Sequence, residues 1–302
     1  MATRLGVGGG PLGGLFSPVS SETVEAVIER AWEHGVRLFD VAPLYGHGRT
    51  ERFVGRVLQT KPRDEFVVST KVGRLLRAEA AGAPSDFAET EGVGPVFDFS
   101  AAGVRRSFEE SLERLGLDRV DVVYLHDPEE HLDQALREAL PELVRLRDEG
   151  LVAGIGVGTN SVDTVVRFVR ETDVDCVLLA NRLTLLDRSG EAEALPLCAE
   201  RNVAVIAGGV FNSGVLASPR ASPTYEYAPA PDDVRDRALA LERICEQYGV
   251  PLAAAAVQFP LRDPVVASVV VGVRSVAELD ENVAAFHTPL PAELWGELLR
   301  HG

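Results

Sequence analysis

The sequence predicts a (β/α)8 TIM barrel of the α/β class, on three observations. Strand-length apolar runs alternate with amphipathic helical stretches eight times over, the pattern of a parallel sheet wrapped by helices. The 302 residues are somewhat more than the roughly 250 of one such barrel and short for two independent enzyme domains. Three runs stop abruptly at a polar, titratable residue, Asp40, Lys71 and His126, which is how a barrel presents reactive groups at one face. A single domain over residues 1–302 is expected.

The elements follow in order. The first strand is read near Leu5–Gly8, and Ser20-Ser21 ahead of Glu22 marks the start of a helix over Glu22–His34. The second strand, Arg37–Asp40, leads through Val41-Ala42-Pro43-Leu44-Tyr45-Gly46-His47-Gly48 into a helix over Thr50–Leu58, opened by Arg49-Thr50-Glu51 in a capping role. The third strand, Phe66–Thr70, delivers Lys71. A long loop rich in Ala, Gly and Pro then spans Gly73–Asp98 before a helix over Ala101–Leu115. An insertion after a barrel strand lies on the active-site face, so this loop is an expected lid. The fourth strand, Asp121–Leu125, delivers His126 ahead of a helix over Gln134–Glu149. Strands Val152–Val157 and Cys176–Leu179 flank a helix over Ser161–Glu171, and a helix over Glu191–Glu200 precedes the seventh strand, Val203–Ile206. The segment Ser218–Asp233, with Tyr225, Tyr227 and several prolines, is expected to cover cofactor or substrate. A helix over Asp232–Tyr248, the eighth strand Ala267–Val271 and a helix over Ser275–Phe286 complete the count.

Composition narrows the partners. With 30 Lys+Arg against 46 Asp+Glu the net charge is −16, which argues against nucleic acid and anionic membrane, since both need a cationic surface. A phosphate-bearing cofactor needs only one local anion site and stays possible. Cys176, Cys198 and Cys245 are widely spaced, and no Cys/His cluster suggests a metal site; Cys176 reads as a packed core thiol. The first residues lack the apolar core of a signal peptide and no run reaches the ~18 residues of a membrane span, so a cytoplasmic location is expected.

The chemistry concentrates in Asp40, Tyr45, Lys71 and His126. Taken singly each has an ordinary reading: a cap, a turn residue, a structural histidine. Jointly they make an acid–base set. A tyrosine works as acid or base near neutral pH only if something stabilises its phenolate, whose free pKa is about 10. A lysine can do that, an aspartate can hold the lysine charged, and a histidine can hydrogen-bond the reacting oxygen. Two Gly-containing strand-to-helix passages, Gly208–Leu216 and Val269–Ser275, offer backbone N–H groups for an anion. His47, two residues after Tyr45, is expected to line the substrate mouth, whereas His34 and His131 read as surface and exposed loop.

These four residues, in this order, resemble the catalytic tetrad of the aldo-keto reductases. The surrounding words match as well: Phe39-Asp40 with Ala42, Tyr45 and Gly46; Ser69-Thr70-Lys71-Val72-Gly73; His126-Asp127-Pro128; Phe211-Asn212-Ser213-Gly214. The likeness runs nearly end to end and is strongest to the bacterial sugar-dehydrogenase branch. It implies NAD or NADP, no metal, and hydride transfer between the nicotinamide and a carbonyl carbon. It implies Tyr45 as general acid/base, Lys71 as its tuner, Asp40 as support and His126 as the orienter of substrate oxygen, with Tyr45, His126 and His47 facing the substrate. Cofactor contacts implied are Gly9, Asp40, Asn160, Phe211, Asn212, Ser213, Gly214, Gly272, Arg274, Ser275, Glu278 and Asn282. The sequence departs from the family at Ala180, where many members place a glutamine, at Gly208, where many place a stacking tyrosine, and at Asn181 and Leu183. Glu278 stands where NADP-preferring relatives carry an arginine, so NAD is expected to serve at least as well as NADP. The activity implied is oxidation of an aldose of the L-fucose or D-threo type to a lactone. A carbonyl reductase, a pyridoxal-type dehydrogenase and a cofactor-binding regulatory subunit remain alternatives.

Overall fold

In the computed structural model, which describes residues 3–82, 84–221 and 224–301, eight strands close into a barrel. They are β1 (Leu5–Gly8), β2 (Leu38–Asp40), β3 (Val67–Val72), β4 (Val122–His126), β5 (Gly154–Thr159), β6 (Cys176–Ala180), β7 (Ala204–Gly208) and β8 (Val266–Gly272). Every neighbouring pair is parallel, and β8 closes on β1 with Leu5 opposite Val269 and Gly8 opposite Gly272. Parallel pairing puts all eight carboxyl ends on one rim, which is why Asp40, Lys71 and His126 converge there.

Two apolar layers hold the barrel. Alternating strand residues point inward, where Leu38, Tyr124, Cys176, Leu178 and Val270 plug the interior. The other set faces outward against the helices, as with Val123, Ile155, Val157, Val177 and Val205. Cys176 is a buried core thiol, its Sγ 3.7 Å from the Tyr124 hydroxyl.

The structure adds to the expected elements and moves some. The helix expected over Gln134–Glu149 runs from Leu132 to Asp148 but widens to a π turn at Ala135–Ala139. Pro141, which follows, has no N–H for the preceding turn, and the wide turn accommodates the missing bond. Helices over Leu252–Gln258 and Ala292–His301 were not expected. The first is Ala-rich and buried, so it shows no polar face to reveal a helical period. The Gly73–Asp98 loop contains an antiparallel hairpin, Arg74–Arg77 with Gly94–Phe97. The Ser218–Asp233 segment holds a small hairpin, Thr224–Tyr225 with Ala228–Pro229; its residues 222 and 223, Pro223 included, lie outside the described residues. Glu51 does not cap its helix. It is fully buried, accepting from Thr70 Oγ1 at 2.7 Å and from Arg114 Nε at 2.6 Å, and so ties β3 to two helices.

Candidate active site

Asp40 ends β2, and the chain then turns through Tyr45–Gly48 with positive φ at Gly46, His47 and Gly48. This turn is set by a backbone-to-backbone contact. A Cβ on Gly13 would lie 2.5 Å from Gly46 N, and one on Gly46 would lie 2.5 Å from Gly13 O. Only glycine at both positions lets the loop after β1 and the tyrosine turn pack this closely.

Ser69 and Lys71 are two residues apart on β3 and point the same way, into the barrel mouth. Lys71 Nζ donates to Asp40 Oδ2 at 2.6 Å and to the Val41 carbonyl at 3.1 Å, and sits 4.5 Å from the Tyr45 ring centroid. Ser69 Oγ donates to Asp40 Oδ1 at 2.7 Å, so both carboxylate oxygens are engaged. His126 ends β4 with its ring edge-on to Tyr45, 5.8 Å between centroids. The sequence-predicted tetrad is therefore one cluster, with Asp40, Lys71 and His126 buried.

The electrostatics follow from burial and neighbours. Burial disfavours the Lys71 ammonium, but the Asp40 carboxylate and Tyr45 outweigh it and hold the lysine above its ordinary range. Burial pushes the Tyr45 phenol up to about 12, against the downward pull of Lys71. His126 is held well below its ordinary range by burial and by the cations of Arg74 and Lys71, so it is neutral. The arrangement can hold a proton on Tyr45, relay charge through a buried ammonium, and hydrogen-bond an oxygen with a neutral imidazole.

His47 does not face the open mouth. It is buried beneath the Gly73–Asp98 loop, with Nδ1 2.7 Å from the Val93 carbonyl and Nε2 3.0 Å from Ser85 Oγ. That loop lies over the rim and is pinned to the segment after β1, since Phe16 N donates to Asp86 O at 2.8 Å and Ala88 N to Gly14 O at 3.0 Å. Phe87 thereby stands 6.3 Å from Tyr45, ring to ring. His131, expected in an exposed loop, instead packs against Phe97 and Phe99 at the hairpin's base. His34 caps its helix near the surface, 2.6 Å from Asp280 Oδ1.

The residues expected to hold a dinucleotide line the same rim. Gly9 packs where a Cβ would sit 2.7 Å from Thr50 Cγ2, and Gly272 where one would sit 2.7 Å from Pro11. Phe211, Asn212, Ser213 and Gly214 form the turn after β7, with positive φ from Asn212 to Gly214. Ser275 caps the helix Val276–His287, its Oγ accepting from Glu278 N at 3.2 Å, while Glu278 Oε2 accepts from Arg274 N at 2.8 Å. Asn282 lies buried one turn further along. The Arg274 guanidinium donates to the Leu15 carbonyl at 3.0 Å and to Ser17 O at 2.9 Å, and so clamps the loop after β1. The Asn160 carbonyl accepts from Arg182 Nε at 2.8 Å. Two buried amide oxygens beside this rim, Asn181 Oδ1 and Asn212 Oδ1, have no hydrogen-bond partner among the described residues. Unpaired buried acceptors, glycine-lined turns and a capped helix start fit a ligand with amide and hydroxyl donors joined by phosphates.

Residues 4–301 match the family model described as the Aldo/keto reductase family. The chain belongs to this family. Over 97% of its length this aldo/keto reductase is 47% identical to a D-threo-aldose 1-dehydrogenase of a Pseudomonas species, covering 92% of that protein. It is 42% identical to a pyridoxal 4-dehydrogenase of Microbacterium luteolum, over 99% of this chain and 94% of that one. A solved aldo-keto reductase from Bacillus halodurans, in its holo form, matches with a TM-score of 0.80 and 25% identity, covering all of this chain and 92% of that chain. The protein is an oxidoreductase. No helix among the described residues is long and apolar enough to cross a membrane.

Four side chains at the rim of this aldo/keto reductase were not singled out from the sequence: Ser69, Arg74, Phe87 and Asp127. Ser69 carried a usable signal, its two-residue spacing from Lys71. The other three reach the site through loop geometry, which leaves no period in the sequence.

Proposed function

We propose that the protein oxidises the anomeric hydroxyl of a neutral aldose to a lactone with NAD(P). The observation that carries this reading is the buried Asp40–Lys71–Tyr45–His126 cluster at the rim of the barrel. The 47% identity to a D-threo-aldose 1-dehydrogenase supports the choice of substrate class. The dinucleotide, when bound, supplies the hydride acceptor. Tyr45 takes the hydroxyl proton as a phenolate. Lys71 stabilises that phenolate by charge, Asp40 and Ser69 fix the lysine, and the neutral His126 hydrogen-bonds the reacting oxygen.

Gly9, Asn160, the turn Phe211–Gly214, Gly272, Ser275 and Asn282 hold the dinucleotide, and NAD serves at least as well as NADP. Glu278 supports that preference, because its carboxylate occupies the start of the helix that would receive a 2′-phosphate. Arg274 is already engaged by Leu15 and Ser17. The deciding test is steady-state oxidation of L-fucose, D-arabinose, L-galactose, L-xylose and pyridoxal with NAD+ and with NADP+. Turnover of one sugar above the rest supports the reading. Pyridoxal as the best substrate replaces it, an outcome favoured by the 42% identity to a pyridoxal 4-dehydrogenase. No turnover of any would leave a carbonyl reductase or a cofactor-binding protein, which reduction of simple aldehydes separates.

A further inference from the structure

Next to His126, the chain places a carboxylate–guanidinium pair that the proton-transfer machinery does not use. Asp127 is held at φ 42°, a left-handed conformation. Its Oδ2 accepts from Arg74 at 2.8 Å and lies 3.5 Å from His126 Nε2. Its other oxygen has no hydrogen bond among the described residues, and 38% of the side chain is exposed. Arg74 comes from the hairpin that covers the rim. Its guanidinium lies 4.8 Å above the Phe97 ring, and its carbonyl is fixed by Ser107 Oγ at 3.2 Å. The pair is thus held by three contacts, while the Asp127 carboxylate stays partly exposed beside His126.

We infer that the Arg74–Asp127 pair is a subsite that reads a hydroxyl on the carbon adjacent to the reacting one. The inference rests on, and deepens, the proposed oxidation of a neutral aldose. An oxygen hydrogen-bonded to His126 Nε2 stands beside Asp127, so the next oxygen of a vicinal diol comes within reach of the free Asp127 oxygen as donor. A carboxylate accepting from a substrate hydroxyl is a charge-assisted bond, stronger than a neutral one. Burial raises the Asp127 carboxyl above its ordinary range, Arg74 opposes that rise, and its guanidinium offers N–H groups to the same diol. The paired charges leave no net cation to attract an anionic substrate. Phe87, across the mouth, supplies an apolar wall for the carbon face of a sugar ring.

The test is a ratio of substrates that differ in that hydroxyl only. The oxidative pair is an aldose and its 2-deoxy counterpart; the reductive pair is lactaldehyde (2-hydroxypropanal) and propanal. Wild type is expected to favour the hydroxylated member of each pair in kcat/KM. Asp127→Gly, which the left-handed backbone tolerates, should shrink that preference by about ten- to a hundred-fold, the range of one charged hydrogen bond. Asp127→Asn, which keeps the shape and the backbone preference, should shrink it by less. Equal losses on both members of a pair would mean that Asp127 acts through His126 or through folding, and would overturn the inference. An unchanged ratio would overturn it as well. If neither sugar is oxidised, lactone formation fails as the function, and the lactaldehyde–propanal ratio still decides the subsite. An enzyme that turns over neither pair overturns both.

Discussion

Lys71 and Asp40 form a fully buried ion pair at 2.6 Å, with Ser69 on the second carboxylate oxygen and the Val41 carbonyl on the ammonium. A pair so enclosed is stable only while both charges are present. Asp40→Asn leaves an uncompensated ammonium in the barrel and should lower unfolding free energy by about 3–5 kcal/mol in urea titrations. Asp40→Asn combined with Lys71→Met should recover part of that loss while remaining inactive. A single variant as stable as wild type would show that the ammonium sheds its proton instead.

Tyr45→Phe removes the transferring oxygen and keeps the ring that packs against His126 and Phe87. Turnover should fall by roughly 10²–10⁴, as for loss of a general acid–base group. The dissociation constant for the cofactor, measured by fluorescence titration, should change little. Near-full activity in this variant excludes Tyr45 as the proton carrier.

The pH profile should differ with direction. Tyr45, pushed up to about 12 by burial, is protonated at neutral pH. Oxidation needs the phenolate, so its rate should climb with pH between roughly 7 and 10. Reduction needs the proton already there, so its rate should stay level over the same span. His126, kept neutral by burial, Arg74 and Lys71, should add no inflection near its ordinary value of 6.5. A falling oxidative limb above neutrality would contradict the assignment.

The loop over Gly73–Asp98 touches the rim from the Tyr45 side through Phe87 and is anchored by His47. Removing its middle should raise KM for substrate more than KM for cofactor. Phe87→Ala should do the same more mildly. Equal changes in both constants would assign the loop to stability alone.

Cofactor choice should respond to Glu278. Replacing it with arginine removes a carboxylate from the helix start and adds a guanidinium there, so kcat/KM should shift from NAD+ toward NADP+. The replacement also removes the acceptor for Arg274 N, so melting temperature should be followed alongside. A wild type that strongly prefers NADP+ would dismiss Glu278 as the discriminator.

The barrel and its tetrad were legible in the sequence because both rest on regular patterns. Strand-length apolar runs ending at Asp40, Lys71 and His126 need no long-range information to be read. What escaped depends on where irregular chain goes in three dimensions. His47 looked like a mouth residue from its place after Tyr45, yet both its nitrogens bond to residues some forty positions on. Glu51 looked like a helix cap because its partner, Arg114, is carried on another helix. Asp127 adjoins His126 in the chain, but only its left-handed backbone turns the carboxylate toward Arg74.

The contact between Gly13 and Gly46 gives Tyr45 a second point of reference. The phenol is carried by the turn after β2, but its height and tilt are gauged against the loop after β1, which Arg274 clamps from the adjoining loop after β8. A methyl group at either glycine would act as a shim, moving the tyrosine without touching it. Aim at the substrate is thus calibrated by parts of the chain that lie outside the tetrad.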